Sequence, residues 1–194
     1  ANRTGENPME KTLNTDKLIL VLGGCRSGKS GYAMARADAM AAEGKLYLAT
    51  SVPTDPEMEK RVARHQAERG PGWQTVEEPV LIDESIAVAG RFARVILVDC
   101  LTLWTSNLLF DQNDETEIMA SVALLSKALK ACSCPVILVS NEVGYGIVPE
   151  NPLARTFRDM AGLVNQKIAA VADEVILCAA GIPVQIKPGP GGQT

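Results

Sequence analysis

The stretch Gly23-Gly24-Cys25-Arg26-Ser27-Gly28-Lys29-Ser30 constrains this 194-residue chain more than any other feature. It fits the pattern G-x-x-x-x-G-K-[ST]. It follows a short apolar run, Leu18 to Leu22, and opens an alanine-rich helical pattern from about Gly28 to Ala42. A strand, a glycine-rich turn and a helix in that order make a cradle for phosphate. Glycines let the backbone curl so that its N–H groups point inward, and the helix N-terminus adds partial positive charge. Lys29 is expected to reach the β- and γ-phosphates of a nucleoside triphosphate, and the Ser30 hydroxyl to coordinate Mg2+. Such a cation usually takes its second protein ligand from an acid that ends a neighbouring apolar strand, and Val95-Ile96-Leu97-Val98-Asp99 supplies one. Two readings of Asp99 stay open: a group linked to the metal, or a cap on the helix that follows.

From Lys17 onward, short apolar runs alternate with longer helical patterns, which predicts an α/β domain with a mainly parallel sheet. Strands are expected at Leu18 to Leu22, Lys45 to Ala49, Val95 to Val98, Pro135 to Val139 and Glu174 to Cys178, with an edge strand at Ile182 to Ile186. A helix should open at Thr54-Asp55-Pro56-Glu57, where Asp55 caps and Pro56 takes the first turn, and should end by Gly70-Pro71. From Leu153 another helix places Phe157, Met160, Ala161, Val164, Ile168 and Val171 on one face and Arg155, Arg158 and Asn165 on the other. The whole reads as one domain over residues 17–187, with a flexible leader over residues 1–16 and a flexible tail over residues 188–194.

Charge and composition remove several function classes. The net charge is -4, and no basic block is present of the kind that neutralises a nucleic-acid backbone, so no nucleic acid is expected as a partner. No apolar run approaches the roughly 18 residues needed to cross a bilayer, and the N-terminus is not shaped like a signal peptide. Five cysteines are an odd count, with Cys25 inside the phosphate loop, which suits a reducing, cytoplasmic compartment. Cys132 and Cys134 form C-x-C, but with one histidine in the chain a zinc site would need distant recruits, so they read as ordinary thiols.

That one histidine, His65, lies on the helix opened by Asp55, with Met58 and Val62 at core-facing spacing and Arg61 and Arg69 four residues to either side. Two cations beside an imidazole favour its neutral form, which carries a lone pair able to attack phosphorus. Spacing alone leaves two readings, a nucleophile flanked by anion-holding arginines or a histidine bordering the core.

With these residues in view, the chain resembles the bifunctional adenosylcobinamide kinase/adenosylcobinamide-phosphate guanylyltransferase family of cobalamin biosynthesis. The resemblance runs from Leu18 to Lys187. It is carried by the loop Gly23 to Ser30, Leu46-Tyr47-Leu48-Ala49-Thr50-Ser51, Arg61-Val62-Ala63-Arg64-His65, Trp73 with Glu77, Asp99-Cys100-Leu101-Thr102 and Asn107-Leu108-Leu109. The long run Asn141-Glu142-Val143-Gly144-Tyr145-Gly146-Ile147-Val148-Pro149-Glu150-Asn151 is the most specific part. The resemblance implies a RecA-like P-loop fold, a trimer and two reactions. ATP or GTP first phosphorylates the aminopropanol hydroxyl of adenosylcobinamide. A histidine then takes GMP from GTP and passes it to the corrinoid phosphate, giving adenosylcobinamide-GDP. His65 matches that histidine, and Ala49, Thr50, Ser51, Glu77 and Asp99 match positions that contact nucleotide. The acid at Asp99 is glutamate in some relatives. Asn141 to Asn151 reads either as a mobile binding loop at a strand's carboxyl end or as a rigid structural turn.

Overall fold

The protein is described by a computed structural model over residues 18–51, 70–112 and 114–189. Seven strands form one sheet: β1 (Leu18–Gly23), β2 (Lys45–Ala49), β3 (Trp73–Glu77), β4 (Val95–Asp99), β5 (Val136–Asn141), β6 (Glu174–Ala179) and β7 (Ile182–Lys187). Among the described residues five helices accompany them: α1 (Lys29–Met40), α2 (Ile82–Ala89), α3 (Leu101–Gln112), α4 (Glu115–Ala131) and α5 (Pro152–Val171). The strand order is β3-β2-β4-β5-β1-β6-β7. All neighbours are parallel except the last pair, where β7 returns antiparallel on β6.

Why the central strands read as unbroken apolar runs is clear from what covers them. Every residue of β1 and β2, and all but the last residue of β4 and β5, is buried. A strand covered on both faces has no solvent side to leave polar. Alternate residues serve opposite layers. Leu18, Leu20 and Leu22 join Ile82, Trp104, Leu125, Val164 and Ile168 beneath α2 to α5. Ile19 and Val21 join Ala33 and Ala37 of α1, together with Tyr47, Leu97 and Val139. Alanine at the α1 contacts lets that helix lie close to the sheet. Among the described residues no helix is long and apolar enough to cross a membrane.

The expected mainly parallel sheet flanked by helices is therefore observed, with the predicted strands in place to within about two residues at their ends. Four elements were given no bounds in the sequence reading. One is β3, Trp-Gln-Thr-Val-Glu, a polar edge strand without an apolar run. The others are α2, α3 and α4. The expected helix from Thr54 to Gly70, carrying Arg61, His65 and Arg69, lies outside the described residues up to Arg69, as do the leader and residues 190–194 of the tail.

One assignment is corrected. Asn165 was placed on the outer face of its helix, yet it is only 5% exposed. Its Oδ1 accepts from Ser140 Oγ at 2.7 Å, and its Nδ2 donates to the Asn141 carbonyl at 3.1 Å and to Glu142 Oε1 at 3.2 Å. A buried amide is tolerated when its donors and acceptors are met, and here they are met by the end of β5.

The polar edge strand is pinned by a cluster at its start. Trp73 Nε1 donates to Asp38 Oδ1 at 3.2 Å, the same carboxylate pairs with the buried Lys45 ammonium, and that ammonium lies 5.1 Å from the Trp73 ring centre. Gly72 makes the turn into β3 at φ +93°, where an added Cβ would lie 2.7 Å from the Ala42 carbonyl. Gly72→Ala is accordingly expected to lower stability by at least about 1–2 kcal/mol, the cost of a left-handed non-glycine residue. Urea unfolding should show this as a lower midpoint at unchanged slope, and an unmoved midpoint would contradict the packing described for this turn.

Candidate nucleotide site

The phosphate loop leaves β1 at Gly23 and becomes α1 at Lys29. Gly28, the residue before the helix, has φ +91°. A side chain there would be strained, and its Cβ would also lie 3.1 Å from Gly181 Cα in the β6–β7 turn. The Gly181 amide donates to the Ser27 carbonyl at 2.9 Å, so that turn braces the loop from below. Within the loop, the Ser27 amide donates to the Gly24 carbonyl at 3.3 Å. Lys29 Nζ folds back to donate to the same carbonyl at 3.0 Å. The ammonium is thus held at the mouth of the curl. Ser27 Oγ is buried without a hydrogen-bond partner among the described residues.

Sheet register assembles the remaining candidates at one edge. Gly23 is level with Asn141 across the β1–β5 pairing. Asp99 on β4 is level with Val139 of β5 and Ala49 of β2, and Ala49 with Glu77 of β3. All these strands are parallel, so Ala49, Glu77, Asp99, Asn141 and the loop share the carboxyl edge, where ligands of open α/β sheets bind. Asp99 Oδ2 accepts from Tyr47 Oη at 2.9 Å. Glu77 is exposed and Ser51 half-buried.

Thr50 is fully buried, and its hydroxyl is spent on both backbone groups of Cys100, accepting from N at 2.8 Å and donating to O at 2.7 Å. It also receives Asn107 Nδ2 on its carbonyl at 2.8 Å. Thr50 therefore locks the end of β2 to the residue after Asp99. On the other side of Asp99, Thr102 Oγ1 accepts from the Asn141 amide at 2.6 Å and contacts Ser140 Oγ at 3.2 Å. The sequence reading missed this bracing set of Thr102, Ser140 and Asn165. Its one legible signal was Asn165 itself, a polar residue between Val164 and Ile168 on an apolar stripe.

Ser30 and Asp99 offer one hydroxyl and one carboxylate, both hard oxygen donors. Among the described residues no group of three or more His, Cys, Asp or Glu side chains is placed to hold a metal. A cation bound here would draw its other ligands from phosphate and water, which is the habit of Mg2+. The donor set fits that ion. His65, Arg61 and Arg69 lie outside the described residues.

Thiol chemistry gives a test of the loop. Burial, helped by the neighbouring Asp99 charge, pushes the Cys100 thiol up to about 11, and burial with the adjacent Cys132 pushes Cys134 up to about 12. Burial also raises Cys178. Cys25, in the phosphate loop, is exposed. Thiolate is the reactive form. Iodoacetamide at pH 8 is therefore expected to alkylate Cys25 well before the buried thiols, and GTP is expected to slow that reaction. Peptide mapping that finds Cys100 or Cys178 modified first would contradict the geometry of this edge.

Comparison with known proteins adds an independent line. Residues 19–186 match the family model of cobinamide kinase / cobinamide phosphate guanyltransferase. The chain is 44% identical over 184 residues to the bifunctional adenosylcobalamin biosynthesis protein CobU of Escherichia coli K12, covering 88% of this chain and 99% of that protein. It is 40% identical over 174 residues to the corresponding CobP of Pseudomonas aeruginosa, covering 88% of this chain and 98% of that protein. Among solved structures, a KaiC-like protein of Pyrococcus horikoshii overlays 84% of this chain and 71% of its own at a TM-score of 0.48 and 14% identity, too loose a likeness to carry an argument. With its phosphate loop, its acid-tipped strands and a match running from the first strand to the last, the chain belongs to the cobinamide kinase / cobinamide phosphate guanyltransferase family.

Proposed function

We propose that this protein phosphorylates adenosylcobinamide with ATP or GTP, and then transfers GMP from GTP through His65 to the product, giving adenosylcobinamide-GDP. The observation that carries this reading is the gathering of the Gly23–Ser30 loop with Asp99, Ala49 and Glu77 at one sheet edge, in a chain of this family.

In the first reaction the aminopropanol oxygen bonds to the γ-phosphorus, the bridging oxygen takes the electron pair, and a nucleoside diphosphate leaves. In the second an imidazole nitrogen bonds to the α-phosphorus of GTP and pyrophosphate leaves. A phosphate oxygen of the corrinoid then displaces His65. Both reactions expel a β-phosphate-bearing group, so one cradle of amides serves both by holding that group. Lys29 exchanges the Gly24 carbonyl for phosphate oxygens and neutralises the charge that grows there. Gly24, Cys25, Arg26, Ser27 and Gly28 supply backbone donors. Arg61 and Arg69 hold anionic groups near His65, and Ala49, Thr50, Ser51, Glu77 and Asp99 frame the nucleoside side of the site.

Ser30 and Asp99 would hold Mg2+, which when bound screens the phosphates and orients them for in-line attack. The covalent relay removes any need for triphosphate and corrinoid to occupy the site together. We assign the active form as a cytoplasmic homotrimer. Five free cysteines suit a reducing compartment. Ile182, Val184 and Ile186 of the edge strand β7 expose apolar surface that subunit contact would cover.

Incubation with α-labelled GTP and Mg2+ is expected to label the protein in an acid-labile, alkali-stable form. His65→Ala should abolish the label while keeping adenosylcobinamide phosphorylation, and wild-type protein that stays unlabelled would remove the guanylyl half. Lys29→Ala is expected to lower both reactions by about 10²- to 10³-fold, the cost of losing one charge-stabilising donor. Initial rates measured with each substrate in turn would show this, and near-normal rates would place the phosphates elsewhere.

A further inference from the structure

The kinase reaction requires a proton acceptor. As an aliphatic hydroxyl bonds to phosphorus it must lose its proton, and no group named so far takes it. Resting on the proposed function, we infer that Glu142 is that group: its carboxylate receives the proton of the acceptor hydroxyl while the oxygen–γ-phosphorus bond forms and the nucleoside diphosphate departs with the electron pair of the broken bond.

Glu142 follows directly on β5, whose last residue is level with Gly23. Its amide donates to the Gly23 carbonyl at 3.2 Å, which fixes it beside the first residue of the phosphate loop. Its carboxylate is held at Oε1 by Asn165 Nδ2 at 3.2 Å. Asn165 is in turn fixed by Ser140 and by the Asn141 carbonyl, so a buried amide orients the carboxylate at the site edge. Oε2 has no hydrogen-bond partner among the described residues. A carboxylate with one oxygen anchored and one open is pre-oriented to accept a proton, and little rotamer freedom is left to lose.

Two other described acids at this edge, Asp99 and Glu77, are less well placed. Asp99 lies on the second strand from β1, about 10 Å away laterally at ordinary strand spacing, and is hydrogen-bonded by Tyr47. Glu77 is two strands further out and exposed. Beyond Glu142 a cleft of about 590 Å³ opens between the following loop and α5, lined by Gly144, Val148, Arg155, Arg158, Leu163 and the exposed acid Asp159. Neither Glu142 nor Asn165 lines it; it adjoins them along the chain, through Gly144 and through Gly162 and Gln166 of α5. Arg158 Nη2 donates to the Gly144 carbonyl at 2.6 Å and holds the near wall.

The two half-reactions separate this role from a structural one. Guanylylation of His65 and passage of GMP to a phosphate oxygen involve no hydroxyl proton, so they have no use for the base. Glu142→Gln is expected to lower ATP-dependent phosphorylation of adenosylcobinamide by about 10²-fold in kcat, leaving the KM for ATP in place. The same variant should still be labelled by α-labelled GTP and should still guanylylate adenosylcobinamide phosphate. Glu142→Asp, which keeps a carboxylate of shorter reach, should recover part of the lost rate. Wild-type phosphorylation by Glu142→Gln would overturn the inference, as would loss of labelling in step with phosphorylation. Wild-type protein that labels with GTP yet never phosphorylates adenosylcobinamide would overturn the kinase reading itself and this role with it.

Discussion

Parallel register between β1, β5 and β4 is the constraint on which everything else rests. It sets Gly23 level with Asn141 and leaves Asp99 two residues lower, level with Val21 and Val139. Because side chains alternate across a sheet, a slip of one residue would carry Leu20 and Ile96 into the opposite layer along with their neighbours. The two apolar layers, one under α1 and one under the remaining helices, forbid that slip. The core therefore positions the chemistry directly: burying Ile19 on one side and Leu20 on the other brings the acid-bearing strand ends to the phosphate loop.

An edge of strand ends is also where backbone groups run out of ladder partners, and this protein meets that cost with hydroxyls and amides. Thr50 closes both backbone groups of Cys100. Asn107 ties the end of β2 to Pro79 ahead of α2. Thr102, Ser140 and Asn165 link α3, β5 and α5 in one buried chain. Such networks stiffen a site when every member is satisfied. Their effect here is that the chain around Asp99, Asn141 and Glu142 is held from three sides, while the loop beyond Glu142 exposes Tyr145, Ile147 and Val148 to solvent. Of the two readings of that loop, the packed turn is not made by these side chains, although Arg155 fastens its far end to the Pro149 and Glu150 carbonyls.

Much of this was legible from residue types. The phosphate loop is a backbone shape, and Gly28 advertises its left-handed turn. Central strands covered on both faces leave unbroken apolar runs, so β1, β2, β4 and β5 could be found without a partner in sight. What escaped notice has an equally physical cause. At β3, stability comes from pairing with β2 and from the Asp38, Lys45 and Trp73 cluster rather than from a pattern of its own. Asn165 defeats helical periodicity because a polar residue with satisfied partners can occupy a core position. Glu142 could be quoted as part of a family run, but nothing in its neighbours along the chain reveals that β5 ends beside Gly23.

The central claim is that one sheet edge, built by that register, grips the β- and γ-phosphates in the amide curl between Gly24 and Lys29. Crystallographic density for a non-hydrolysable GTP analogue bound with Mg2+ tests it most directly. The account predicts those two phosphates inside the curl, with Lys29 Nζ released from the Gly24 carbonyl and the cation between Ser30 and Asp99. A nucleotide bound at another face, with Lys29 still on Gly24, would contradict it.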